Sequence, residues 1–175
     1  MTVQPNRMIR DDGSLTFKQA VSDIWIPATD FVASAAGPAL EIVDAAHHGM
    51  LFDTTTAESV SRAFVAPPYW NAVALTWYTY NPTSGDGGVV MGYYMEDLVS
   101  GSSLTAETPT PVIDITITCD GSEDEDDLVI TQGASSVAVS PGGYNVLKVG
   151  RLPVDAADTL AADYALLGVL LTRSA

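Results

Sequence analysis

The central part of the chain alternates between apolar and polar residues with the period of two that is typical of β-strands. Three consecutive runs show it, over residues 59–65, 72–80 and 89–97. In the first run, Val60, Arg62 and Phe64 would share one face. The second run, AVALTWYTY, is rich in the β-branched and aromatic residues that fit a pleated surface. Glycine-rich residues 85–88 then predict a hairpin turn, so the three runs indicate antiparallel strands.

Shorter runs predict further strands over residues 23–27, 48–52, 112–119, 128–130, 136–139, 144–152 and 165–172. In the run over 112–119, strict alternation places Ile113, Ile115, Ile117 and Cys119 inward and Asp114 outward. Residues 38–45 fit either a strand or a single helical turn. No long helical pattern is present. We therefore predict an all-β fold, an antiparallel, jelly-roll-like β-sandwich of about eight strands.

The N-terminal residues lack a sustained period, so we expect an extended arm over residues 1–20 and a single β-sandwich domain over residues 21–175. A chain of 175 residues can bury a sizeable core without disulfides. Its one cysteine, Cys119, cannot form an intramolecular disulfide and is expected to be buried. Neither a secretory signal nor a membrane-spanning run is evident, which predicts a soluble product synthesised in the cytoplasm with no membrane partner.

The charge of the chain is strongly and unevenly negative. The formal net charge is −15, and residues 63–147 contain no lysine or arginine. This opposes binding to nucleic acid, whose affinity depends on cationic contacts to phosphate. Residues 1–20 instead carry a net charge of +1 and the remainder −16. Such a division serves solubility, or it indicates that arm and body face different partners.

No residue pattern typical of catalysis is present, and we predict a protein that is not an enzyme and needs no cofactor. The adjacent residues His47 and His48 would point to opposite faces of a strand and cannot grip one metal ion together. The sequence also lacks a nucleophile elbow, a Walker loop and a dinucleotide-binding fingerprint.

The acidic segment 120–127 is a weak candidate for a calcium site, because calcium prefers several oxygen ligands. Its candidate ligands are Asp120, Glu123, Asp124 and Asp126. The segment lacks the spacing of an EF-hand loop, so a solvated loop is the favoured interpretation. Aromatic residues raise a second possibility, a platform for sugars, although aromatics in alternating strands more often fill cores and interfaces. They are Trp25, Tyr69, Trp70, Trp77, Tyr78, Tyr80, Tyr93 and Tyr94.

Several segments together resemble β-sandwich virion proteins of tailed bacteriophages. They are FDTTTAE at 52–58, Pro67 and Trp70, VALTWY at 73–78, SGD at 84–86, VVMG at 89–92, VGRLP at 149–153, DAADTLAAD at 155–163 and LLGV at 166–169. The resemblance covers residues 23–173. It implies a non-enzymatic structural protein, either a capsid decoration (cement) protein or a fibre-like protein, without catalytic residues to transfer.

The short arm favours the decoration function. The expected protein would be a homotrimer on the virion surface that binds and stabilises the shell of major capsid protein. Its arm would anchor it through Arg7, Met8, Ile9, Arg10, Phe17 and Lys18, or would instead be disordered or fold back on its own trimer. Trp70 and Tyr94 are the candidates for the trimer interface. The alternative function is a tail-fibre or receptor-binding module that binds carbohydrate.

Overall fold

The computed structural model describes residues 7–9, 15–17, 23–33, 37–42, 47–83, 85–98, 111–120 and 128–174. Its strands are, in chain order, β1 (Arg7–Ile9), β2 (Leu15–Phe17), β3 (Asp23–Pro27), β4 (Val32–Ala33), β5 (Ala39–Ile42), β6 (His48–Phe52), β7 (Glu58–Val65), β8 (Ala72–Tyr80), β9 (Gly87–Leu98), β10 (Val112–Cys119), β11 (Leu128–Gln132), β12 (Val137–Ala138), β13 (Tyr144–Arg151) and β14 (Tyr164–Arg173).

The strands of the body form two antiparallel sheets. The small sheet has the order β10-β9-β13-β7-β4, and the large sheet has the order β11-β8-β14-β6-β5. In the large sheet β12 also pairs with β8, and β3 also pairs with β14. Strands β8 and β9 lie in different sheets and do not pair, so the hairpin predicted at residues 85–88 is wrong. One short 3₁₀ turn, Ala28–Asp30, is the helical element within the described ranges. No helix among these residues is long and apolar enough to cross a membrane.

The core lies between the two sheets and is built from every second residue of the long strands. From β8, Val73, Leu75 and Trp77 are fully buried, and Leu147 and Val149 of β13 lie opposite them from the small sheet. This alternation confirms the predicted all-β, jelly-roll-like sandwich. Cys119 is buried as expected. The structure also resolves the ambiguity at residues 38–45, because Ala39–Ile42 is an edge strand that pairs with β6.

The predicted alternation along residues 112–119 is wrong in its first half. The register of β10 against β9 shifts between Ile113 and Ile115, which marks a β-bulge. The extra residue disturbs the alternation at the start of β10, where Val112 and Ile113 are both exposed. Ile113 is therefore 56% exposed instead of inward. Asp114 accepts a hydrogen bond from the buried Trp77 indole instead of pointing outward.

The described part of the N-terminal arm consists of two short strands. Strands β1 and β2 pair antiparallel, with Ile9 opposite Leu15, and form a two-stranded sheet separate from the sandwich.

A buried ion pair fastens the connection between β13 and β14 to the small sheet. The Arg151 Nη2 and Asp158 Oδ1 atoms are 2.7 Å apart, and both side chains are almost completely buried. Arg151 also donates from Nε to Asp158 Oδ2, from Nη1 to the Ala162 carbonyl and from Nη2 to the Leu160 carbonyl. Asp158 Oδ2 in turn accepts from the Val90 amide of β9. Most hydrogen-bonding capacity of the pair is thus satisfied inside the protein.

We expect Asp158→Ala to lower the free energy of unfolding by about 3–5 kcal/mol, because it leaves a buried guanidinium without its counter-charge. Urea unfolding followed by far-UV circular dichroism measures this change. The matched control is Asp30→Ala, which removes the exposed ion pair between Arg62 and Asp30, 3.4 Å apart. That pair should contribute no more than about 1 kcal/mol. Equal losses in the two variants would contradict a structural role for the buried pair.

Candidate binding surface

A recess on the outer face of the large sheet forms where two short strands meet end to end. Strand β14 pairs with β6 through residues 164–166 and with β3 through residues 168–172. The register of β14 against β8 shifts between Leu166 and Gly168, so Leu167 lies at a bulge. The end of β3 and the start of β6 leave a gap beside this bulge. The result is a recess of about 310 Å³, lined among others by Trp25, His47, His48, Tyr78 and Leu167.

Trp25 and Tyr78 form the aromatic wall of this recess. Their ring centroids are 4.9 Å apart with an interplanar angle of 79°, the edge-to-face geometry that aromatic pairs prefer. A side chain at Gly168 would collide with the Trp25 ring, because a Cβ there would lie 2.5 Å from its Cη2 atom. The glycine therefore lets the indole lie close against the sheet. Trp25 is still 47% exposed, so part of its surface is open to a ligand.

The strand registers align other side chains with this wall in rows across the sheet. One row runs from Trp25 through Leu170 and Thr76 to Gln132. It crosses three strand spacings, a distance of about 14 Å. Gln132 is exposed, and its amide nitrogen donates to the Thr76 hydroxyl at 2.9 Å, which orients the amide. The row therefore joins an aromatic group at one end to an oriented polar group at the other.

The described strands of the large sheet contain no lysine, and their one arginine contacts a different surface. Arg173, at the end of β14, lies over the ring of Tyr69, 5.7 Å from the ring centroid. Asp23 and Glu41 are the acidic residues of the strands that form this face, and both are exposed. The surface around Trp25 is consequently apolar and weakly negative, which does not favour anionic ligands.

The predicted aromatic candidates separate clearly by burial. Trp70 and Trp77 have no exposed surface, and Tyr80 is 5% exposed, so these three belong to the core. The side chain of Trp70 is therefore not available for the trimer interface that we expected it to form. Tyr94 is half-buried in β9 on the outer face of the small sheet, opposite Lys148, and remains a candidate for such an interface.

The remaining predicted site residues lie mostly outside the described residues. Glu123, Asp124 and Asp126 of the acidic segment are outside them, whereas Asp120 is exposed after the end of β10. Within the described ranges, no group of three histidine, cysteine or acidic side chains is placed to hold a metal ion. In the arm, Arg7, Met8, Ile9 and Phe17 lie in the two paired strands, while Arg10 and Lys18 are outside the described residues.

One carboxylate has an unusual environment, at the open edge between the two sheets. Asp114 Oδ2 accepts from Trp77 Nε1 at 2.6 Å. Partial burial raises the pKa of Asp114 above the ordinary value of an aspartate, although this hydrogen bond and one from the Ala134 backbone oppose the shift. Burial also raises the pKa of Tyr93, and the nearby charge of Asp114 adds to that shift.

Solved structures with a similar fold include several carbohydrate-binding modules. The chain superposes with a TM-score of 0.56 and 10% identity on the Podospora anserina GH26-CBM35 β-(1,4)-mannanase, over 88% of this chain and 28% of that one. It also superposes on a CBM36-1 domain of a multidomain xylanase from the hindgut metagenome of Trinervitermes trinervoides, with a TM-score of 0.54 and 8% identity over 87% of this chain and 98% of that one.

A third similar structure is CsCBM6-3 from Clostridium stercorarium in complex with cellobiose, with a TM-score of 0.53 and 10% identity over 86% and 94% of the two chains. At such identities the likeness shows the fold alone, a two-sheet jelly-roll sandwich. No protein-family model matches the sequence, and no curated protein matches it significantly.

Replacing Asp114 by asparagine should make stability less dependent on pH. Because the pKa of Asp114 is higher in the folded protein than in the unfolded chain, this carboxyl stabilises the fold fully only at a pH below its pKa in the unfolded chain, which is near 4. This stabilisation is lost as the pH rises through the pKa of the folded protein. Asparagine keeps an acceptor for Trp77 and cannot ionise. The difference in unfolding free energy, Asp114→Asn minus the natural chain, should therefore increase from about pH 4 upward. Urea titrations at several pH values measure it, and a constant or falling difference would contradict the raised pKa.

Proposed function

We propose that this chain is a non-catalytic binding module that binds a carbohydrate on the outer face of its large sheet. The observation that carries the proposal is the Trp25–Tyr78 pair beside the recess at the β14 bulge. Of the three tryptophans, Trp25 alone is exposed, and the other two are fully buried in the core. A large aromatic side chain held open to solvent on a rigid strand has little value for stability and considerable value for binding.

The chemistry of this surface suits a sugar. One face of a pyranose ring consists largely of C–H groups, which pack against the π-face of an indole or phenol, while the hydroxyls need hydrogen-bond partners. His47 precedes β6, so His47 and His48 both line the recess beside the aromatic wall instead of lying on opposite faces of a strand as expected, and they supply imidazoles there. About 14 Å away, Gln132 supplies an amide oriented by Thr76. An extended oligosaccharide could contact both ends of the row.

The similar carbohydrate-binding modules support the proposal only through their shared fold. Sandwiches of this type can carry binding surfaces without catalytic residues, and function must be argued from the site itself. Here the argument rests on Trp25, on its edge-to-face partner and on the strand register that places polar groups in line with them. A non-enzymatic role is part of the same proposal.

Binding should be visible in the intrinsic fluorescence of the full chain. Because Trp70 and Trp77 are buried, a sugar-induced change in emission or in acrylamide quenching should come from Trp25. We expect such a change with at least one member of a panel of neutral polysaccharides and oligosaccharides. Trp25→Ala should abolish the spectral change and weaken binding at least about tenfold in calorimetry, as truncation of a central aromatic anchor does.

The matched control is Tyr69→Ala, which removes another exposed aromatic residue at a different surface. It should leave sugar affinity unchanged. Circular dichroism must show that both variants keep the fold. If no glycan of the panel binds the natural chain, or if Tyr69→Ala weakens binding as much as Trp25→Ala, the proposed surface is wrong.

Capsid decoration stays a prediction, with its homotrimer, its major-capsid-protein partner and its location on the virion. No contact among the described residues favours or opposes capsid decoration. Deletion of residues 1–20 tests it directly, because a folded truncated protein should no longer cosediment with capsids if the arm is the anchor. Full binding by the truncated protein would show that the arm does not anchor the chain.

A further inference from the structure

The outer face of the large sheet is narrow at the level of Trp25. Four strands cross it there, in the order β3-β14-β8-β11. Strand β3 pairs only with β14, and β11 pairs only with β8, so both are edge strands at this level. The row from Trp25 to Gln132 therefore runs from one edge of the sheet to the other. In the part of the chain that the structure describes, no strand closes the row at either end.

The middle of this row is less exposed than its ends. Trp25 is 47% exposed and Gln132 is also exposed, whereas Thr76 between them is only 5% exposed and Leu170 is half-buried. The surface is therefore a shallow trough that crosses the strands, with an indole at one end and an amide at the other. We call it the Trp25 trough.

The neighbouring rows give the trough two unlike walls. On one side, Tyr78 lies opposite Ile130, which is 56% exposed. On the other side, Asp23 lies opposite Thr172. Each of these rows is two residues along the strands from the Trp25 row, so it lies on the same face at a distance of about 7 Å. One wall is thus apolar, and the other carries a carboxylate and a hydroxyl.

Building on the proposed carbohydrate-binding function, we propose that the Trp25 trough binds an internal segment of a linear, extended and neutral polysaccharide that lies across the strands. A pyranose unit of an extended chain advances by a length similar to one strand spacing, about 5 Å. The trough therefore accommodates about three or four consecutive units. Because neither end is closed by a described strand, the polysaccharide continues past both edges of the sheet. Gln132 is then the contact that distinguishes long chains from short ones.

The walls determine which chains fit the trough. The C–H groups of a pyranose pack on Trp25 and Ile130, and its hydroxyls donate to the Asp23 carboxylate, a strong acceptor because it is charged. The same carboxylate, in a protein of net charge −15, repels uronic acids and sulfated sugars. A chain that curls cannot follow a straight row and would leave Gln132 without a contact. The trough therefore favours neutral chains whose linkages keep successive rings in line, as β-1,4 linkages do.

A series of chain lengths tests this proposal. The probes are β-1,4-linked glucose, mannose and xylose oligosaccharides of two, four and six units, titrated into the full chain by calorimetry. For at least one sugar, affinity should rise at least about tenfold from two units to four, and change little from four units to six. Titration of the corresponding soluble polysaccharide should find several copies of the protein on each polymer chain, because internal segments recur along it.

Variants at the two ends of the trough should affect the series differently. Trp25→Ala should weaken binding at every length. Gln132→Ala should weaken binding of the tetrasaccharide about tenfold more than binding of the disaccharide, which is too short to reach from Trp25 to Gln132. The control is Thr118→Ala, which removes an exposed hydroxyl from β10 in the other sheet and should change affinity at no length. Circular dichroism checks that each variant keeps the fold.

The outcomes separate this inference from the function on which it rests. Equal affinity for two and four units, equal losses at both lengths in Gln132→Ala, or one protein per polymer chain would each overturn the trough and leave the Trp25 surface standing. Binding of other glycans but none of the three series would do the same. Binding that Trp25→Ala leaves unchanged, or no binding of any glycan, would overturn both the trough and the proposed function.

Discussion

The buried Arg151–Asp158 pair is the interaction on which one whole end of the sandwich depends. Burial of two charges is favourable only when their hydrogen bonds are replaced inside the protein. Arg151 achieves this with two bonds to Asp158 and two to backbone carbonyls of the following connection. The carboxylate then reaches the Val90 amide of β9. A single side chain of β13 thereby determines where the connection to β14 lies.

The position of this connection has consequences for β14, the strand at the centre of the large sheet. Strand β14 begins at Tyr164, directly after the fastened segment, and its Tyr164 hydroxyl is 2.9 Å from that of Thr79 in β8. From this start the strand pairs first with β6 and then, beyond its bulge, with β3. The recess beside Trp25 results from that change of partner. The proposed sugar-binding surface is thus a product of the way β14 is shared.

One edge of the small sheet, strand β10, carries features that oppose pairing with another chain. Strand β10 is a long edge strand with Ile113 56% exposed, and such an edge can pair with other chains. Its bulge and the inward carboxylate of Asp114 interrupt the regular edge at that point. A charge held between the sheets opposes the addition of a further strand. The raised pKa of Asp114 is the electrostatic cost of this arrangement.

The sequence by itself determined the fold class and most strand positions. The runs over 72–80 and 112–119 coincide with β8 and β10, because alternation with period two and β-branched residues are local properties that require no knowledge of the partner strand. The burial of Cys119 followed from the same pattern. The strongly negative body and the absence of catalytic motifs could likewise be read without a structure.

The facing of Asp114, the exposure of Trp25 and the shared pairing of β14 were decided only in the tertiary structure. Each depends on a register between strands far apart in sequence, and a single bulge reverses the facing of the residues beyond it. Trp25 and Trp77 both lie in apolar alternating runs, yet one is open and the other enclosed. The physical reason is the face of the sheet on which each indole lies: Trp25 is opposite Leu170 on the outer face and stays open to solvent, whereas Trp77 is opposite Val169 on the inner face and is enclosed between the two sheets.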